Sequence, residues 1–101
     1  MNPNLRVDIA MSLMRALWGE VTPNVRAVLA RISGDEAFSI EFYVDGDVDD
    51  QFTEAASYIE TEVMADFPAR FNISHSVIRL DAPSKISLED GILVFLRKEF
   101  N

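Results

Sequence analysis

Between Leu5 and Trp18 the apolar positions Leu5, Val7, Ile9, Ala10, Met11, Leu13, Met14, Ala16, Leu17 and Trp18 fit a helix but occupy more of its circumference than one stripe needs. Such a helix is expected to be buried on more than one side, either between a sheet and a neighbouring element or against another chain. Asn2-Pro3-Asn4 supplies its start, Gly19 its stop, and Glu20-Val21-Thr22-Pro23-Asn24 a connector. Val25 to Ile32 is β-branched and apolar on both faces of the alternation, the pattern of an interior strand. After the turn Ser33-Gly34-Asp35-Glu36, the strand Ala37 to Val44 alternates cleanly. Phe38, Ile40, Phe42 and Val44 point one way, and Ser39, Glu41 and Tyr43 point to a wet face.

Helical spacing returns from Asp49 to Phe67, where Phe52, Ala55, Ala56, Ile59, Val63 and Phe67 share one side. Asp47 or Asp49 is placed to cap this helix, and Pro68 limits its continuation. A third strand runs from Phe71 to about Leu80, with Ile78 and Leu80 breaking the alternation as a bulge or a locally two-sided burial would. Asp81 to Gly91 reads as a long loop docked by Ile86 and Leu88. Ile92 to Leu96 is the last strand, and Arg97-Lys98-Glu99 marks its exit to solvent. The order is α-β-β-α-β-β over residues 1–101. It implies one α+β domain, a four-stranded mostly antiparallel sheet packed against two helices. If both helices share one sheet face, the apolar outer faces of the first and last strands call for a homodimer or a partner; if not, they are already covered.

Composition narrows the classes. A chain of 101 residues buries roughly 60 to 70% of its unfolded surface in a single core. With no cysteine it has no disulfide framework and no thiolate site, and its one apolar N-terminal run is too short for a bilayer, so a cytosolic protein is expected. The net charge is −8, and from Ile32 to Ala69 eleven Asp or Glu residues stand without a single Lys or Arg. That field repels nucleic acid and anionic lipid and attracts basic partners.

Candidate chemistry is thin. Asp45, Asp47 and Asp49 have the spacing of the first ligands of a calcium loop, but Asp50 stands where that loop needs Gly and Ala56 where it needs Glu. Helix capping accounts for the same residues. His75, the only histidine, sits between serines that point to the opposite face of a strand, so Ser-His-Ser is not a nucleophile with its base. Zinc coordination by one His and no Cys is not expected, and no phosphate loop, dinucleotide turn or nucleophile elbow is present. No catalytic residue, metal or cofactor is expected. What remains is the row Glu54, Tyr58, Glu62, Asp66 along one helix ridge, flanked by Asp47, Asp49, Asp50 and Glu60. Carboxylates clustered about an aromatic ring suit a protein partner with a basic groove. A charged helix face is also an ordinary solvated face.

The segments Leu17-Trp18-Gly19-Glu20-Val21-Thr22-Pro23-Asn24-Val25-Arg26-Ala27-Val28, Phe42-Tyr43-Val44-Asp45-Gly46, Glu60-Thr61-Glu62-Val63-Met64-Ala65-Asp66-Phe67-Pro68, Val77-Ile78-Arg79-Leu80-Asp81 and Val94-Phe95-Leu96-Arg97-Lys98-Glu99 resemble small bacterial immunity proteins of contact-dependent growth inhibition and related polymorphic toxin systems. The resemblance runs over most of the chain and lies in general patterns. It implies a cytosolic protein that binds and neutralises a cognate toxin domain, often a nuclease, without catalysis. It carries over no binding residue, so the partner-binding candidates Asp47, Asp49, Asp50, Glu54, Tyr58, Glu60, Glu62 and Asp66 rest on charge alone. The alternative is a structural or regulatory homodimerisation module.

Overall fold

The computed structural model describes residues 4–99. Its elements are α1 (Leu5–Ala16), β1 (Val25–Gly34), β2 (Ala37–Val44), α2 (Asp50–Met64), β3 (Asn72–Arg79) and β4 (Ile92–Leu96), in the expected order. Asn4 holds the N-cap position of α1, and the expected start at Asn2-Pro3 lies outside the described residues. The helix stops two residues before Trp18, because the chain tightens into a turn in which Trp18 N–H donates to Arg15 C=O. Gly19 then adopts φ +78°, a left-handed conformation that residues with a Cβ rarely take.

The four strands form one sheet in the order β3-β2-β1-β4. β1 pairs antiparallel with β2 and β4, while β2 and β3 are parallel. The sheet is therefore mixed, with one parallel pair. A parallel neighbour needs a crossover, and α2 supplies it. Its fifteen residues rise about 22 Å, close to the roughly 26 Å of an eight-residue strand, so β3 begins beside the start of β2. The pairing runs without interruption from Ala37 opposite Asn72 to Val44 opposite Arg79. Ile78 and Leu80 thus mark burial on two sides and no bulge.

Both helices lie on one face of the sheet. Leu5, Ile9 and Leu13 of α1 and Phe52, Ala56, Ile59 and Val63 of α2 meet Val28, Ala30, Phe38, Ile40, Phe42 and Val44 in a single core. Phe42 packs edge-on against Phe52, and Phe38 against Phe67. α1 reaches β4 and α2 reaches β3, so the two span the sheet side by side.

The opposite face is drier than the alternation in β2 implies. β3 and β4 are the two edges and run the same way, so the segment Asp81–Gly91 has to cross that face between them. Ile86 packs with Ile78 and Leu80 over Ala27, Leu29 and Tyr43. Tyr43, expected in water, is buried beneath this strap. Its hydroxyl donates to Glu41, which also accepts from Arg31 Nε at 2.9 Å. Arg31 in turn donates to the strap carbonyls of Ser87 and Glu89. Gly91 passes so close that a Cβ there would stand 3.0 Å from Leu29 Cδ1. Leu88, expected to dock, is exposed, as are Leu93 and Leu96 on the outward side of β4.

Nor does the chain leave for solvent after β4. Glu99 accepts from Arg26 Nε and Nη2 at 2.7 and 2.8 Å and from Arg97 Nη2 at 2.9 Å. Arg26 is buried and also donates to Leu80 C=O, while Arg97 donates to Pro23 C=O and Asp45. The Arg26 and Arg97 guanidinium groups pull the Glu99 carboxyl down to about 2. No helix among the described residues is long and apolar enough to cross a membrane.

Candidate partner-binding surface

The acidic helix starts at a well-formed cap. Asp49 is extended and its Oδ1 accepts from Phe52 N–H at 2.7 Å, with Asp50 in the first turn where the positive end of the helix dipole favours an anion. The helix ends at Met64, with Ala65 as C-cap, one residue shorter at the start and three at the end than the expected Asp49–Phe67.

The eight candidate residues divide by what they already hold. Asp47 accepts from Arg79 at 2.6 Å at the C-terminal end of β3. Asp49 is the cap. Glu60 lies on the flank over β3, where it accepts from His75 Nδ1–H at 2.9 Å, since an ionised carboxylate only accepts. His75 therefore has the orienting partner that its sequence context did not reveal, but Ser74 and Ser76 stand on the other face. Its ring packs edge-on to Phe42. Asp66, beyond the end of α2, turns towards α1 and accepts from Ser12 Oγ at 2.6 Å and Arg15 Nη2 at 3.0 Å. The Ser12 hydroxyl and then the Arg15 guanidinium hold its carboxyl below the usual range. The i, i+4 ridge consequently ends at Glu62.

Asp50, Glu54, Tyr58 and Glu62 remain on the outward side of α2, all exposed. Tyr58 is 54% exposed, and hydrogen bonding to the Glu62 carboxylate raises its hydroxyl above the usual value, with Glu20 adding to the effect. Glu20 was not among the candidates. It follows Gly19 in the connector, where the reversal brings the chain back along α2. Between the connector and α2 lies a groove of about 640 Å³. Phe52 and Ala55 line it, with Glu20, Asp49, Glu54 and Tyr58 around it. No local pattern links Glu20 to a helix more than thirty positions later; only the packing of α1 beside α2 does so.

The surface has the makings of a recognition site: a concave strip with an apolar floor, carboxylates around it and a rigid aromatic ring. None of the paired groups forms a nucleophile–base–orienter set. A family model, that of the MafI2 immunity protein, matches residues 6–99. The chain belongs to the MafI2 immunity protein family. This bears out the resemblance to small bacterial immunity proteins of polymorphic toxin systems, and places the chain with a Maf family and not with one of contact-dependent growth inhibition. No curated protein sequence matches the chain. The span matched to the MafI2 family takes in all six elements except Leu5, the first residue of α1, so the groove and α2 lie within the matched region.

Proposed function

We propose that this MafI2-family protein neutralises a cognate toxin domain by binding it in the cytosol of the cell that makes it, without catalysis. The observation that carries the reading is the strip along α2. Asp50, Glu54, Tyr58 and Glu62 are exposed there, Glu20 closes the strip from the connector, and α2 contributes no Lys or Arg. A toxin whose active groove binds phosphate is cationic, so a nuclease domain is the partner this surface fits. Opposed fields speed encounter, and desolvated charge pairs at the centre of such an interface slow release. The same field disfavours nucleic acid as a direct ligand.

The test is association with a cognate toxin domain, sought among the genes adjoining this one, followed by stopped flow at low and high salt. Glu54→Lys combined with Glu62→Lys is expected to slow association at least about tenfold at low salt and to flatten its salt dependence. Asp66, whose carboxylate joins the two helices, is left unaltered. Association that is unchanged in the double variant would place the interface elsewhere on the molecule.

A further inference from the structure

The two edges of the sheet are not protected alike. β4 is five residues long, its pairing with β1 shifts register between Val28 and Leu29, and it runs directly into Arg97, Lys98 and Glu99. Short length, an irregularity and flanking charge are the usual means of closing an edge to other strands. β3 has none of them along its run. It is eight residues long, pairs with β2 without interruption, and carries no Asp, Glu, Lys, Arg or Pro from Asn72 to Ile78. Asn72 N–H donates to Glu36 C=O and Leu80 N–H to Val44 C=O, so in this parallel ladder the even-numbered residues bond to β2. The N–H and C=O groups of Ile73, His75 and Val77 therefore point away from the sheet, and no described segment meets them.

We propose that this edge of β3 receives an extended strand of the toxin domain, which adds to the four-stranded sheet beside β3. The inference rests on the toxin-binding reading and gives it a second contact, in which main-chain hydrogen bonds supply the attachment and alternate side chains the selection. Charge selects the occupant. Glu60 accepts from His75, so one flank of α2 stands over the free edge. Thr53, Ser57 and Met64, seven and three residues before Glu60 and four after it, share that flank and are exposed. Arg79, at the end of the strand, is held by Asp47 and Asp81. The corner between edge and helix thus offers room above the strand and one carboxylate within it. A second copy added across a two-fold axis would lay β3 antiparallel to β3 and α2 beside α2, setting Glu60, Asp50 and Glu54 of each chain near those of the other. In a chain of net charge −8 that pairing is opposed. A strand that carries Lys or Arg on its α2 side meets Glu60 favourably instead. Asp50 and Glu54 lie within about one helix diameter, ~10 Å, of the corner, so a basic domain seated on the edge keeps its field over the acidic side of α2.

Amide hydrogen exchange of the full chain, followed by NMR, separates the two rows of β3. In the free protein the amides of Ser74, Ser76 and Ile78 are expected to exchange slowly and those of Ile73, His75 and Val77 fast. A saturating cognate toxin domain is expected to slow the fast row at least about tenfold, bringing it towards the other. Val77→Pro removes an outward N–H and no ladder bond to β2, a place where an edge strand admits proline. It is expected to speed toxin dissociation at least about tenfold with the circular dichroism of the parent. Val77 also packs against the core, so a second pair of variants uses the exposed serines on the opposite face. Ser74→Lys with Ser76→Lys is expected to weaken binding at least about tenfold, and Ser74→Glu with Ser76→Glu to leave it as tight or tighter. Toxin that binds in dependence on Glu54 and Glu62 while Ile73, His75 and Val77 stay fast would overturn strand addition and leave the acidic strip as the interface. Protection of those amides in the protein alone as its concentration rises would assign the edge to a second copy. Equal effects of the Lys and Glu pairs would remove the charge selection. A chain that binds no cognate toxin domain would sink the toxin-binding reading and this inference with it.

Discussion

The two helices do the same work inward and opposite work outward. α1 and α2 lie side by side on one face of the sheet, and each buries a row of aliphatic side chains in the same core. On the outside, α2 shows Asp50, Glu54, Tyr58 and Glu62, whereas α1 shows Val7, Met11 and Met14, with Trp18 in the turn that follows it. The fold requires only the inward rows. Nothing in the packing of a two-layer domain asks one helix to be acidic and the other apolar on its solvent side. The outward faces thus differ for reasons outside the core: α2 carries the acidic strip proposed to meet a basic toxin surface, and the α1 side carries an exposed apolar stripe.

The largest effects should come from the shared, inward half of that comparison. Leu13→Ala in α1 and Ile59→Ala in α2 each remove a fully buried side chain over the same sheet face. Each is expected to destabilise the protein by about 2 to 5 kcal/mol in urea denaturation with an unchanged slope. A loss below about 1 kcal/mol at either site would mean that one helix is not an equal part of the core.

Outward substitutions should separate the helices. Met11→Glu is expected to leave toxin association within about a factor of two, whereas Glu54→Lys with Glu62→Lys is expected to slow it at least about tenfold at low salt. Both should leave stability within about 0.5 kcal/mol, as exposed positions generally do. If Met11→Glu slowed toxin binding as strongly as the α2 reversals, the two faces would form one continuous interface and the division would fail.

How much of this was legible in the sequence follows from the range of the forces involved. Element order and the core rows are local and periodic, so Phe52, Ile59 and Val63 or Phe38, Ile40 and Phe42 announce themselves. The parallel pairing of β3 with β2 depends on the length of α2 matching a strand, which becomes visible only once both are laid on one sheet. Tyr43 read as wet because β2 alternates, and nothing in β2 records that Ile86 will arrive from forty positions away to cover it. The acidic strip was partly legible, because a ridge of carboxylates is a local pattern. What each carboxylate holds was not. Asp47, Glu60 and Asp66 look alike in sequence to Glu54 and Glu62, yet Arg79, His75, and Ser12 with Arg15 engage them through tertiary contacts. The α1 stripe was legible as an excess of apolar positions, but the burial on more than one side that this excess implies is not seen: only the Leu5, Ile9 and Leu13 side is covered, and Val7, Met11, Met14 and Trp18 are exposed.

The smallest expected effect tests the joint that keeps the two helices in register. Asp66 accepts from the buried Ser12 hydroxyl and from Arg15, and both interactions favour its ionised form. Because its folded pKa is lowered, the stabilisation is fully present above the ordinary carboxylate pKa of about 3.9. It is lost as the pH falls through the folded value. Asp66→Asn should therefore destabilise the protein at pH 7 by no more than about 1 kcal/mol, since the carboxylate is partly exposed and screened. The deficit should shrink as the parent itself is protonated, so that parent and variant converge once the pH lies below the lowered folded value. A deficit that persisted unchanged into acid would show that Asp66 contributes through packing and not through its charge. α1 would then be held beside α2 by the core alone, and the outward stripe and strip would be free to shift against each other.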